Sequence, residues 1–217
     1  MPLHRIELPP QGPSSGTLVL LHGYGADEHD LIGLAAELDP SLRAVSLAAP
    51  QTLPWGGRAW YALEQRGGSF GWDAAEVQQA ARLAIEAVAA VAAEDGRPPL
   101  LLGFSQGAGI ALLVALQRPE LVRGVLSLSG VPPDRADTAT ATASFLGTKG
   151  LPVFGAHGLG DPLLPIAVGR HTRALLEDAG CDVTWREYPM AHQIVGPEVE
   201  DARAWLAALP AWPQAKG

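Results

Sequence analysis

One cysteine, Cys181, stands in 217 residues, so the chain has no internal disulfide and no cluster of cysteine metal ligands. Basic residues are outnumbered, 15 Lys and Arg against 23 Asp and Glu, and the formal net charge of −8 comes with no run of Lys or Arg. That balance argues against nucleic acid or an anionic membrane as partner. No stretch approaches the roughly 18 apolar residues of a membrane span. Met1 to Pro10 has no apolar core and no small-residue cleavage pattern, so a cytoplasmic protein is expected. Internal repeats, H-E-x-x-H and the Walker A pattern are all missing. Gly23 and Gly25 begin a G-x-G-x-x-G, but its third glycine position is Glu28. These absences leave a globular chain with no sign of a metal or cofactor.

What is present is ordinary globular composition, 47% hydrophobic and 18% charged, in a length that suits one domain over residues 1–217. The most informative stretch is Pro99-Leu100-Leu101-Leu102-Gly103-Phe104-Ser105-Gln106-Gly107. The apolar run reads as a buried strand, and Ala108 to Leu116 as a buried helix stopped by Pro119. Between them, Gly103-x-Ser105-x-Gly107 fits G-x-S-x-G, the strand–turn–helix that lifts a nucleophilic serine above a sheet. So sharp a turn strains the serine and leaves no room for side chains at the flanking positions.

Elsewhere the patterns alternate. Strands are expected at Thr17–His22, Ala44–Ala48, Gly124–Ser129, Pro152–His157 and Val183–Tyr188, with a short edge strand at His4–Leu8. Leu31, Leu34, Ala35 and Leu38 recur at helical spacing before Pro40. Asp73 and Glu76 read as a capping box for a helix whose buried stripe is Val77, Ala81, Ala84, Val88 and Val91, ending at Gly96. Pro165 opens a helix that Gly180 closes, and a last helix runs from about Glu198 to Leu209. Residues 50–72 read as a long irregular loop holding Trp55, Trp60, Tyr61, Phe70 and Trp72. Residues 131–150 read as a lid-like loop, and the tail from Pro210 as frayed. Strands alternating with helices imply a parallel sheet covered on both sides.

A serine hydroxyl needs a base, and the base an orienting carboxylate. Working groups of parallel sheets gather at the carboxyl ends of strands. That selects Asp161, after the Pro152–His157 strand, and His192, after the Val183–Tyr188 strand. Asp178 and Asp182 precede a strand and fall at the opposite edge; His157 shapes the acid's turn; His4, His29 and His171 face solvent. Taken alone, Asp161 is a turn residue before Pro162 and His192 a loop histidine. Taken together, the order Ser105, Asp161, His192 is that of an acyl-transfer triad. The oxyanion donors are then the backbone N–H of Gln106 and, from the loop after Thr17–His22, that of Tyr24.

Several segments resemble one family closely. Leu21-His22-Gly23-Tyr24-Gly25-Ala26-Asp27 is similar to its L-H-G-x-G-x-D loop, and Arg58-Ala59-Trp60-Tyr61 to its A-W-[FY] segment. Gly103-Phe104-Ser105-Gln106-Gly107 matches its G-F-S-Q-G elbow. His157-Gly158-Leu159-Gly160-Asp161 with Pro165 matches its H-G-x-x-D-x-x-x-P, and Tyr188-Pro189-Met190-Ala191-His192 its Y-P-M-x-H. By these motifs the chain resembles the phospholipase/carboxylesterase family of α/β-hydrolases, which includes acyl-protein thioesterases. The resemblance implies an α/β-hydrolase fold, a mostly parallel central sheet with helices on both faces and a minimal cap. It puts the triad on Ser105, Asp161 and His192 and the oxyanion donors on Tyr24 and Gln106. It implies no cofactor and no metal. Some family members pair as dimers, so a homodimer is one expected assembly.

The expected reaction is hydrolysis of a small-molecule carboxylic ester with a small to medium acyl chain, through an acyl-serine. Trp60 and Leu163 are candidate walls of the acyl pocket, unless the aromatics instead plug a gap in the core. Other readings are an acyl-protein thioesterase or lysophospholipase cleaving a thioester or ester, a dienelactone hydrolase-like enzyme, and a non-catalytic binding protein on the same scaffold. The dienelactone hydrolases usually carry cysteine where this chain has Ser105.

Overall fold

The computed structural model describes residues 2–66, 69–132 and 148–212. In chain order it contains β1 (Arg5–Leu8), β2 (Gly16–Leu21), α1 (Ile32–Leu38), β3 (Leu42–Leu47), β4 (Gln51–Thr52) and β5 (Arg58–Ala59). There follow β6 (Glu64–Arg66), β7 (Ser69–Gly71), α2 (Ala74–Asp95), β8 (Leu100–Phe104), α3 (Gln106–Gln117) and β9 (Gly124–Leu128). The chain continues with β10 (Pro152–Gly158), α4 (Ile166–Asp178), β11 (Asp182–Tyr188) and α5 (Gly196–Ala208).

Seven strands form the main sheet in the order β1-β3-β2-β8-β9-β10-β11. β1 runs antiparallel on β3, and every other pairing in this sheet is parallel. The period-2 alternation of strand side chains divides the core into two layers. Val19, Leu21, Val45, Leu101, Val125 and Val153 face the layer that holds α2, α3 and Leu176 of α4. Leu18, Leu20, Ala44, Leu102, Leu126 and Phe154 face the opposite layer, with α1 and α5. Helices therefore cover both faces, as the alternating pattern predicts.

α3 explains why the stretch after Ser105 shows no amphipathic stripe. Its residues are buried from Gln106 to Leu116, because α2 covers the side turned away from the sheet. A helix hydrophobic all round belongs in the interior, and each fully buried Leu, Ile or Val contributes about 1.5–3 kcal/mol over an exposed one. The site-bearing helix is thus set deep in the core.

Chain direction reverses at the centre of the sheet. From β2 the chain moves outward to β3, whereas from β8 it moves the other way to β9, β10 and β11. β2 and β8 are neighbours, so the switch point, above whose carboxyl ends ligands of open α/β sheets bind, lies between them.

Three expectations need correction. The segment 50–72 is not simply irregular: it holds two short antiparallel ribbons, β4–β5 and β6–β7. Two- and three-residue strands carry too little alternation to register in a sequence pattern. The capping box at α2 is half formed. Asp73 accepts from the N–H of Ala75 at 2.7 Å, but Glu76 does not reach back. Its Oε2 accepts from Gln51 Nε2 at 3.0 Å and from the N–H of Ala62 at 2.9 Å, tying α2 to the loop before it. The tail is docked at least to Trp212: its indole N–H donates to the Pro98 carbonyl at 3.1 Å, and its ring lies against Gly16. The expected lid over 131–150 falls mostly on residues 133–147, outside the described residues. No described helix is long and apolar enough to cross a membrane.

Candidate active site

β8 delivers the chain to Ser105, and α3 starts at the next residue. Ser105 has φ 53° and ψ −119°, a region L-residues rarely occupy. Close packing enforces the turn. A Cβ on Gly103 would lie 2.4 Å from the Ala108 Cα, and one on Gly107 would lie 2.1 Å from the Leu21 carbonyl oxygen. Glycine at both positions lets β8, α3 and the end of β2 converge on one point. The Ser105 N–H is bound at 2.9 Å to the Leu128 carbonyl of the neighbouring strand, which anchors the strained residue.

Asp161 sits on the turn after β10 and is 5% exposed. Its Oδ1 accepts from the N–H groups of Leu163 and Leu164, each at 2.9 Å, so the turn built by Asp161 also fixes its carboxylate. Its Oδ2 lies 2.6 Å from His192 Nδ1. His192, on the loop after β11, places Nε2 2.7 Å from Ser105 Oγ. The partners assign the tautomer: Nδ1–H donates to the carboxylate and Nε2 accepts from the serine hydroxyl. Phe104 packs on the imidazole, ring centroids 5.0 Å apart, and limits its swing. The structure thus brings Ser105, His192 and Asp161 into one hydrogen-bonded chain from three strand ends.

His157 lies under this turn, fully buried, and its Nε2 bonds the Leu164 carbonyl at 2.7 Å while standing 3.7 Å from Asp161 Oδ2. It props the acid's turn, as its position before Asp161 suggests. Asp178 ends α4 and Asp182 begins β11, at the opposite end of the sheet from His192.

The loop after β2 passes beside Ser105, since a Cβ on Gly23 would stand 3.5 Å from the Ser105 Cβ. Among the described residues, the N–H groups of Tyr24 and Gln106 donate to no backbone carbonyl. Two unengaged amides beside a serine hydroxyl can bind an oxyanion. His22 holds the start of this loop. It is fully buried, its Nδ1 bonds the Gly23 carbonyl at 2.8 Å, and its Nε2 accepts from the Ala49 N–H at 3.1 Å. Burial lowers its pKa and favours the neutral ring these bonds require. Among the described residues no group of three His, Cys, Asp or Glu side chains could hold a metal.

The two expected wall residues differ. Leu163 is 52% exposed on the turn of Asp161, with Leu159 similarly exposed beside it. Trp60 is 1% exposed, and its indole N–H donates to the His22 carbonyl at 2.9 Å. It is packed in the core beneath the loop it bonds, and so is not the wall the sequence suggests. Motif reading missed the side chain of Gln106, which bonds the 60–61 backbone. The signal available was the resemblance of Arg58-Ala59-Trp60-Tyr61 to a family segment, which marks those residues without saying what holds them.

The model of a family described as Phospholipase/Carboxylesterase matches residues 4–209. An acyl-protein thioesterase 1 of Mycosarcoma maydis is 38% identical over 109 residues, 48% of this chain and 45% of that protein. Another, from Gibberella zeae, is 34% identical over 111 residues, 49% of this chain and 46% of that protein. These matches span a little under half of each relative. A putative hydrolase of Bacillus subtilis, MhqD, is 26% identical over 195 residues, 90% of this chain and 94% of that protein. Among solved structures, esterase PE8 superposes with a TM-score of 0.82 at 28% identity, covering 95% of this chain and 99% of that one.

Proposed function

The chain belongs to the phospholipase/carboxylesterase family of hydrolases, and from that premise we propose that it is a serine carboxylesterase acting on esters of small to medium acyl chains. The observation that carries this reading is the unbroken hydrogen-bonded chain Asp161–His192–Ser105, at 2.6 and 2.7 Å, ending on a serine with strained backbone. Ser105 Oγ attacks the ester carbonyl as its proton passes to His192 Nε2. Asp161 keeps the imidazole in the required tautomer and stabilises its cation. The amides of Tyr24 and Gln106 take the oxyanion. The imidazolium then gives its proton to the leaving alkoxide, leaving an acyl-serine. Water, deprotonated by His192, attacks the acyl carbon, and Ser105 departs with its proton restored. The exposed leucines 159 and 163, on the turn that carries the acid, offer an apolar rim to an acyl group entering from solvent.

A second reading, thioester hydrolysis on acylated proteins, is favoured by the names of the thioesterase relatives. One experiment tests both. The wild type and Ser105→Ala are assayed on a matched panel of esters and thioesters of graded acyl length and treated with a fluorophosphonate probe. The wild type should label and turn over short esters best, and Ser105→Ala should lose the label and about 10⁴-fold or more of kcat. Near-normal turnover by Ser105→Ala would overturn the assignment. A preference for long-chain thioesters would favour the second reading.

A further inference from the structure

Gln106 carries two amides. Its backbone N–H faces the oxyanion position in the proposed ester hydrolysis, and the role argued for its side chain rests on that reading. The side chain points elsewhere and is buried, the residue being 6% exposed. Oε1 accepts from the Trp60 N–H at 2.8 Å, and Nε2 donates to the Tyr61 carbonyl at 2.8 Å. A buried primary amide is tolerated when both ends are paired. Here both ends are paired with consecutive backbone groups of one loop.

That loop holds the other oxyanion donor. The Trp60 indole N–H donates to the His22 carbonyl at 2.9 Å. The Arg58 carbonyl accepts from the Gly25 N–H at 2.8 Å, and the Arg58 N–H donates to the Ala26 carbonyl at 2.7 Å. Arg58 Nη1 donates to the Ala49 carbonyl at 2.8 Å, and the Ala49 N–H returns to His22 Nε2 at 3.1 Å. Tyr24 therefore lies on a short span tied on both flanks, at His22 and at Gly25–Ala26, to residues 58–60.

An oxyanion hole works when two donors lie about 2.7–3.1 Å from the same oxygen. One donor rides on α3 and the other on the loop after β2. The register of β2 on β8 ends at Leu21 and Gly103, short of both donors. We propose that the Gln106 side chain is the positioning residue that sets one donor against the other: it clamps the 60–61 backbone to α3, and through that loop fixes the Tyr24 amide relative to its own. One residue thus supplies a donor and aligns its counterpart.

The test compares Gln106→Met, of similar length but without hydrogen bonds, with Gln106→Glu and Trp60→Phe. All three keep every backbone N–H. Gln106→Met should lower kcat about 10- to 100-fold with KM within about threefold, a large part of the effect of losing one donor. Affinity for a trifluoromethyl ketone, which adds to Ser105 and develops an oxyanion, should fall in parallel with kcat. Affinity for the neutral alcohol product, which sets no anionic oxygen between the two amides, should stay within about twofold, a split that general destabilisation does not produce. Gln106→Glu can still accept from Trp60, but its ionised second oxygen faces the Tyr61 carbonyl. Protonation restores an O–H donor there, so its activity relative to wild type should rise as pH falls. Trp60→Phe removes the indole bond to His22, and combined with Gln106→Met it should lower kcat by less than the product of the separate effects, since both cut one chain. The proposal is overturned if folded Gln106→Met keeps kcat and trifluoromethyl ketone affinity within about twofold of an active wild type, or if product affinity falls as far as kcat. A wild type that neither hydrolyses esters nor takes the probe removes the esterase reading, and the proposal with it. A wild type that does both while Gln106→Met is unimpaired removes the clamp alone.

Discussion

Gly57 offers a sharp test of how the site is braced. Its φ is +73°, and a Cβ built on it would lie 2.0 Å from the Gly25 carbonyl oxygen and 2.6 Å from the Gly25 carbonyl carbon. Real Cβ atoms essentially never approach within 3.0 Å, so about 1 Å must open between two stretches of backbone in Gly57→Ala. Neither neighbour is the pliable end of a side chain. The 22–26 loop must move, and the Gly25 N–H to Arg58 bond with it. If Tyr24 donates to the oxyanion as proposed, a shift of that size takes its amide out of range, which typically costs about 3 kcal/mol, or roughly 100-fold in kcat. The left-handed backbone adds about 1–2 kcal/mol of strain, which in a chain of this length lowers Tm by roughly 2–8 °C and leaves the protein folded at assay temperature. Gly56→Ala is the control, because Gly56 has φ +97° and nothing within 4 Å of its would-be Cβ. It should lose Tm comparably and keep its kcat. Steady-state kinetics on a short-chain ester, with thermal melts of both variants, decide the matter. If Gly57→Ala retains kcat within threefold of Gly56→Ala, the 57–61 loop does not hold the oxyanion amide and the bracing argument fails.

Two further outcomes concern stability. Glu198 is fully buried near the start of α5, with Oε2 accepting from the Val195 N–H at 3.3 Å and Oε1 without a partner, and burial raises its pKa from 4.5 to about 7. The native state then holds this proton more tightly than the unfolded chain. Stability from this group is complete below pH 4.5 and is lost as pH rises through 7, about 3 kcal/mol in all. Urea unfolding at pH 5 and pH 8 should show the decline in wild type and a flatter response in Glu198→Gln; equal slopes would exclude Glu198 as its source. Trp212 packs on Gly16 and lies within 5.4 Å of the Arg97 guanidinium and 4.4 Å of that of Arg123. Trp212→Ala should cost about 2 kcal/mol in urea unfolding and leave kcat unchanged, because this packing lies at the amino ends of the strands; a large loss of kcat would contradict that separation.

The parts legible in the sequence were those whose signal is local. Leu100 to Phe104 is apolar on both faces because β8 lies in mid-sheet, and Gly103 and Gly107 flank Ser105 because three backbone segments meet there. Asp161 and His192 follow strands, so strand periodicity with the carboxyl-end rule carried them to the edge where Ser105 stands. What escaped depends on partners far along the chain. Glu76 has the spacing of a reciprocal cap, yet Gln51 and the Ala62 N–H take its carboxylate, and spacing within a helix carries no trace of them. Gln106 and the Tyr61 carbonyl it binds 45 residues upstream each sit in a motif, but neither motif says that one holds the other. Trp212 follows Pro210 in a stretch that reads as a loose end, and the guanidiniums that receive it belong to turns before β8 and β9.

The sheet order divides the proposed triad by mechanical security. Ser105 issues from a strand flanked on both sides, whereas His192 follows β11, an edge strand paired on one side alone. Peeling that margin away would carry off the imidazole together with Tyr188 and Met190, a small share of the core, and leave the central strands paired. On the proposed mechanism, warming would therefore disarm the serine before the centre of the sheet melts, with Ser105 still lodged on its elbow and no imidazole beside it.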